Sequence, residues 1–390
     1  MVAAPRNIAC LVPDLPAASQ LVRYLERIDD ARWYTNFGPL VNELETRLEQ
    51  LLVATGAPHG TQVVTCSTGT AAIDAGLAAL KLPAGARVLM PALTFPATAL
   101  AVTRAKLVPV FADVCPRRWQ LTPKIARSFA KDVDLVLPVA TYGRATNVEA
   151  WDHFTEDTAV PVLVDAAPAF GEQAIGRTTS VAFSFHATKP FGIGEGGAFV
   201  TTDAALAERA RVFTNFGFVD GVVVDDGTNA KLSEYHAAVG LAQLDRWPSL
   251  QQRRHRVWST YRRYLRGIDG AHLQAWPSVR APALMTVRLA MDAEGVATQL
   301  ASVGVQTRRW YVPTLVNHPA FAPFADGRLP VTEAIAPRLL GLPFHTELTE
   351  DDVAYVCTAL ADALGITGRL AARHTEVVPR RVLPTTGRVA

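Results

Sequence analysis

Cysteine is scarce: four in 390 residues, and Cys10, Cys66, Cys115 and Cys357 lie far apart. No CxxC pair occurs, so a disulfide framework and a zinc site are set aside, and reduced thiols in a cytoplasmic setting are expected. Long apolar runs are missing as well. No continuously apolar stretch approaches the ~20 residues that a membrane span needs. Residues 1–20 hold one arginine and a short apolar stretch broken by Pro13, Asp14 and Pro16, a poor signal peptide. Charge of one sign is also lacking. Basic and acidic residues, 38 against 36, are interleaved and leave no stripe to hold nucleic acid. Apolar residues are plentiful, 49% against 19% charged, which is the composition of a globular protein with a large core.

Between Thr61 and Val200 short apolar runs alternate with helical patterns. Residues 62–66, 87–91, 107–111, 135–139, 160–165, 181–185 and 197–201 read as buried strands, with helices over 70–80, 95–104 and 204–213. That rhythm predicts an α/β fold, a mostly parallel sheet covered by helices on both faces. Further on, Ser233 is placed to cap a helix through Leu244, and Pro248 to start another through Arg266. A smaller βαβ-like unit follows, with a strand over 284–290, a helix from Asp292 to near Gly304 and a strand over 305–309. Thr349 caps a last helix over 350–364. The expected division is a large domain over 1–250, N-terminal segment included, a small C-terminal domain over 251–368, and a tail, 369–390. No structure is placed on that tail.

Lysine is rarer than the basic total suggests. Only Lys81, Lys106, Lys124, Lys131, Lys189 and Lys231 occur, and most sit on solvated patterns. Lys189 follows the run 181–185 and precedes a glycine-rich turn, Gly192 to Gly197. A lysine at a strand's carboxyl end, among small and aromatic residues, suits a lowered pKa and Schiff-base chemistry, with an ordinary loop lysine as the alternative. The glycines are not a dinucleotide fingerprint, because they precede a strand rather than open a helix. Cys66 to Thr70 follows a strand and opens an alanine-rich helix. It offers free amides, hydroxyls and a glycine to a phosphate, or else it is plain helix capping by Thr68. Asp165 ends an apolar run, where it either caps a helix or pairs with a cation such as a protonated ring nitrogen. Together, a phosphate cradle, a strand-end aspartate and a lysine on the next strand are the three handles that hold pyridoxal 5′-phosphate.

These residues resemble the DegT/StrS-type sugar aminotransferase family over roughly residues 33–364. The similarity rests on linked motifs: Asn36 to Leu40 with Glu43 and Glu45, Gly69 to Ala72, Pro91 to Phe95, Tyr142-Gly143, Asp165 to Ala167, Ser184 to Gly197, Gly227 to Asn229 with Ser233-Glu234 and Ala237-Ala238, and Thr307 to Pro313. The resemblance implies fold-type I architecture: a large domain with a mostly parallel seven-stranded sheet and a smaller C-terminal α+β domain. It implies that Lys189 holds the cofactor and acts in catalysis with Asp165, which meets the pyridine nitrogen. Gly69, Thr70 and Ser184 would contact the phosphate and Phe95 would stack on the ring. Asn229 would reach the cofactor phosphate of a neighbouring subunit, making the active unit a homodimer with shared sites. Lys231 and Arg308 fall near the family's substrate side without a firm role. One departure is clear: Pro168 stands where many members have Gln or His near the ring hydroxyl.

The function implied is transfer of an amino group from an amino acid donor, L-glutamate or L-glutamine, to a keto sugar nucleotide or related cyclic ketone. Pyridoxamine 5′-phosphate would be the intermediate form of the cofactor, and biosynthesis of antibiotics, cell-surface sugars or other secondary metabolites the setting. Two alternatives share the scaffold: another pyridoxal phosphate reaction (dehydration, elimination or cyclisation), and a cofactor-binding regulator without catalysis.

Overall fold

The computed structural model describes residues 6–275 and 280–366; the expected tail, 369–390, lies outside them. Seven strands form the main sheet: β1 (Gln62–Cys66), β2 (Arg87–Pro91), β3 (Val108–Ala112), β4 (Leu135–Val136), β5 (Leu163–Asp165), β6 (Ser180–Ser184) and β7 (Gly197–Thr201). Their order is β3-β2-β4-β5-β6-β7-β1. The middle seam, between β4 and β5, is held by parallel bridges at Val136–Val162 and Val139–Asp165. Only β7 runs against its neighbours, pairing antiparallel with β6 and β1.

The strands read as unbroken apolar runs because both faces are covered. Val63, Leu89, Val164, Val181 and Val200 enter one core and Val64, Val88, Leu163, Ala182 and Phe199 the other. The first core takes in α1 (Ala18–Ala31), α2 (Pro39–Ala54), α5 (Pro123–Ala126) and α6 (Val148–Thr158). The second takes in α3 (Gly69–Leu80), α4 (Pro96–Arg104) and α7 (Ala204–Thr214). A short hairpin, β8 (Phe218–Val219) and β9 (Val222–Val223), follows α7.

The expected break at Pro248 is absent. One helix, α8 (Glu234–Leu265), runs through it. A proline inside a helix costs about 3 kcal/mol. Each large apolar side chain fully buried returns about 1.5–3 kcal/mol, and α8 buries Leu241, Trp247 and Leu250 in one core and Val257, Trp258, Tyr261 and Leu265 in another. Tertiary packing wins.

The small unit is an antiparallel sheet rather than a βαβ unit: β11 (Met285–Leu289) lies between β10 (Ala271–Leu273) and β12 (Leu339–Leu342). It is accompanied by α9 (Ala293–Ser302), α10 (Pro330–Ile335) and α11 (Glu350–Ala363). The run 305–309 forms no strand. Val305 bridges to Ile8 and Arg308 to Gly341, so its two ends follow different partners and no ladder develops. Residues 7–10 precede α1 yet run along this C-terminal unit: Gln306 N donates to Ile8 O and Phe344 N to Cys10 O, both at 2.9 Å. Among the described residues no helix is long and apolar enough to cross a membrane, and no His/Cys/Asp/Glu group is arranged to hold a metal.

Candidate active site

Three strands of the main sheet deliver their carboxyl ends to one cavity, where open α/β sheets bind ligands. Its volume is about 360 Å³, inside the usual range for small-molecule sites. Gly69, Thr70, Phe95, Asp165, Ser184 and Lys189 all line it; Asn229 does not.

At the end of β1 the chain turns into α3. The Thr68 hydroxyl accepts from Ala71 N at 3.0 Å and caps the helix, so the capping reading holds, while Gly69 and Thr70 line the same cavity. Ser184, at the end of β6, closes on this turn. A Cβ added to Gly69 would fall 2.4 Å from Ser184 Cβ, and one added to Gly197 would fall 2.5 Å from Thr68 O. Glycine at both positions lets two strands and a helix N-terminus converge on one small anion-sized corner.

Lys189 is aimed by its neighbours. Its loop leaves β6 at Phe185 and returns through Phe191, both fully buried with ring centroids 5.2 Å apart, in a cluster with Phe170 and Trp247. Lys189 N donates to His186 O at 2.8 Å, closing the turn. Its ammonium is pushed down by burial, against the pull of Asp165. His186 bonds to Thr188 Oγ1 through Nδ1 at 2.9 Å and faces Glu195.

Asp165 ends β5 and is 4% exposed. Oδ2 accepts from Thr98 Oγ1 at 2.7 Å and Oδ1 from Ala167 N at 3.0 Å. Burial pushes its carboxyl up, while Thr98, Ala167 and Lys189 act against that. A buried carboxylate opening on a cavity calls for a cation there.

The far wall comes from the small unit. Tyr142 and Tyr311 both have φ in the left-handed region, +61° and +63°, rare for aromatic residues, and their rings stack at 5.0 Å. Leu284 N donates to Tyr142 O at 3.1 Å, and Gly143 leaves only enough space for Ala283. Ala283, Leu284, Trp310 and Tyr311 thereby reach the cavity, joined by Leu11 from the N-terminal segment. Burial, then Asp165, push the Tyr311 phenol up. The sequence pattern alone gives Leu11, Thr98 and Tyr311 no role; the four-residue spacing of Thr94 and Thr98 is the one local signal.

Other singled-out residues lie elsewhere. Lys231 is buried with its ammonium 4.6 Å from the Phe216 ring, and Arg308 is exposed; neither lines the cavity. Asn229 is exposed and bridges to Asn215. Glu45 and Glu234 are structural. Glu45 accepts from Thr65 N and Oγ1 at 2.8 Å and pairs with Arg211, and Glu234 accepts from Leu40 N and Val41 N at the start of α2.

The residues fit pyridoxal phosphate: an anion corner that any side chain on Gly69 would fill, a buried carboxylate, and a lysine kept toward its neutral form, all on one cavity.

Residues 17–361 match the DegT/DnrJ/EryC1/StrS aminotransferase family. The chain is 32% identical over 380 residues to Protein Rv3402c of Mycobacterium tuberculosis, covering 92% of this chain and 90% of that one. It is 28% identical over 374 residues to the dTDP-4-amino-4,6-dideoxy-D-glucose transaminase of Escherichia coli, with coverages of 91% and 98%. Among solved structures it is similar to DesI in the presence of its TDP-sugar product, with a TM-score of 0.82, 31% identity and coverages of 96% and 97%.

Proposed function

The chain belongs to the DegT/DnrJ/EryC1/StrS aminotransferase family, and from that footing we propose that it carries an amino group from L-glutamate or L-glutamine to a keto sugar nucleotide or a related cyclic ketone. It is a pyridoxal phosphate-dependent aminotransferase of fold-type I. The transaminase of E. coli and the TDP-sugar product of DesI support a nucleotide-linked sugar as the acceptor. A biosynthetic setting in the cytoplasm, making antibiotic, cell-surface or other specialised sugars, goes with that substrate class.

Bound pyridoxal phosphate supplies an electron sink that stabilises negative charge beside the nitrogen being transferred. Gly69, Thr70 and Ser184 would hold its phosphate at the α3 N-terminus, and Phe95, 62% exposed on the rim, would cover its ring. Asp165 would keep a proton on the ring nitrogen. Lys189 Nζ would hold the cofactor and, as the free amine that burial favours, would serve as the group that takes up and gives back the proton of the donor's Cα. Asn229 serves the site of a second subunit in a homodimer, with exposure on its own protomer as the supporting observation.

The observation that carries this reading is the convergence of Lys189, Asp165, Ser184 and Gly69 on one cavity. Borohydride reduction of the loaded protein is expected to fix cofactor on the peptide containing Lys189. Amino donors are expected to convert the protein to its pyridoxamine form, which keto sugar nucleotides then discharge. Labelling elsewhere defeats the Lys189 assignment. Failure of every donor to convert it favours a cofactor-binding regulator, and conversion of the sugar without amination favours dehydration, elimination or cyclisation.

A further inference from the structure

Thr98 lies on α4, 67 residues before the aspartate it touches, and is wholly buried. Its single hydroxyl proton has three acceptors within reach: Asp165 Oδ2 at 2.7 Å, Thr94 Oγ1 at 3.0 Å and Phe95 O at 3.1 Å. The carboxylate bond is shorter and charge-assisted, and such bonds are roughly twice as strong as neutral ones. The proton therefore goes to Asp165. Thr94 Oγ1 lies 3.0 Å from Thr98 Oγ1, and since Thr98 has no proton left for it, Thr94 donates to Thr98.

The three groups make a directed chain, Thr94 to Thr98 to Asp165. Ala167 N fills the other carboxylate oxygen. Thr98 is 0% exposed and is not among the residues lining the cavity, so water is poorly placed to substitute for its hydroxyl. A hydroxyl buried this deeply costs about 1–3 kcal/mol unless bonded, and valine would fill the same volume without that cost.

We propose that Thr94 and Thr98 form a hydroxyl relay that positions Asp165 and keeps its carboxylate unprotonated toward the cofactor's ring nitrogen. Thr98 is a positioning residue: it acts through Asp165. The proposal rests on the assignment of Asp165 made above, and the test separates the two.

Holoenzymes carrying Thr98→Val, Thr98→Ser, Thr94→Val and Asp165→Asn are compared with the parent for cofactor dissociation constant, cofactor absorbance against pH, and the pH profile of kcat/KM. Removing the donor to a buried carboxylate favours its protonated form. Thr98→Val is therefore expected to move the acidic limb of the profile, and the matching absorbance change, upward by about one pH unit. It should also weaken cofactor binding about tenfold on the acidic side, and binding should recover as pH rises. Thr98→Ser restores both. Thr94→Val shifts them the same way by less, and carries the test if Thr98→Val does not fold. A loss of heat stability with no movement of either pH limb marks a purely structural role and overturns the relay. If that happens while Asp165→Asn collapses the rate, only the relay falls. If Asp165→Asn keeps near-parental rate and absorbance, the assignment of Asp165 falls and the relay with it.

Discussion

Gly69 has no room for a side chain. A Cβ there would press into Ser184 Cβ at 2.4 Å, well inside contact distance, and would occupy the corner where an anion meets the first amides of α3. Gly69→Ala is expected to push Ser184 aside, and its folded fraction to bind cofactor at least about tenfold more weakly, roughly 1.4 kcal/mol. Equilibrium dialysis against pyridoxal phosphate measures this, with unchanged affinity as the contrary result. Lys189 sets a pH dependence. Burial lowers its folded-state value from 10.5, so the unfolded chain binds that proton more tightly. This group's contribution to stability therefore rises with pH between the depressed value and 10.5, and is lost on acidification through the depressed value. The free amine is the nucleophile, so cofactor attachment is expected to speed up with pH with a midpoint below that of an ordinary lysine. Stopped-flow absorbance checks the midpoint.

At the scale of elements, α2 depends on α8 for its start. Pro39 supplies no N–H, Gly38 no side-chain cap, and the next two amides, of Leu40 and Val41, donate to Glu234 at 2.8 and 2.9 Å. Glu234 is 1% exposed, and Gly38 must be glycine because a Cβ would meet its carboxyl at 2.6 Å. Bonds to a charged group contribute about 1.5–3 kcal/mol each. Glu234→Ala is expected to cost about 3 kcal/mol in denaturant unfolding and Glu234→Gln about 1 kcal/mol, with cofactor spectra of the folded fraction unchanged. An altered cofactor spectrum in the glutamine variant would move Glu234 into the site. The same logic explains why α8 crosses Pro248: its two halves are anchored in different cores, and breaking it would uncouple them.

Across the whole molecule, Asn229 and the hairpin before it face outward. Phe218, Val222, Val223 and Val224 are between 40% and 62% exposed, apolar surface that suits burial against a second subunit. An isologous dimer carrying each Asn229 into the partner's site has two equivalent composite sites. Lys189→Ala and Asn229→Ala proteins, each with little activity alone, are expected to recover activity on mixing, because one site of each heterodimer collects both lesions and the other none. Demonstrated subunit exchange without recovery rules out sharing.

The alternation of strand and helix, the caps at Thr68, Asp292 and Thr349, and the strand-end position of Asp165 are legible in the chain itself, because periodicity and capping are local. Lys189 stood out because lysine is rare and a glycine-rich turn follows it. The helices α1, α2 and α6 carry no comparable local signal, because their apolar faces become meaningful only against the sheet. The continuity of α8 and the antiparallel small sheet were decided by long-range burial, which outweighs the local cost of a proline. The cavity itself belongs to the tertiary structure alone. Leu11, Thr98, Asp165 and Tyr311 are spread over 300 residues, and only the sheet order, with the left-handed turns at Tyr142 and Tyr311, brings their side chains to one place.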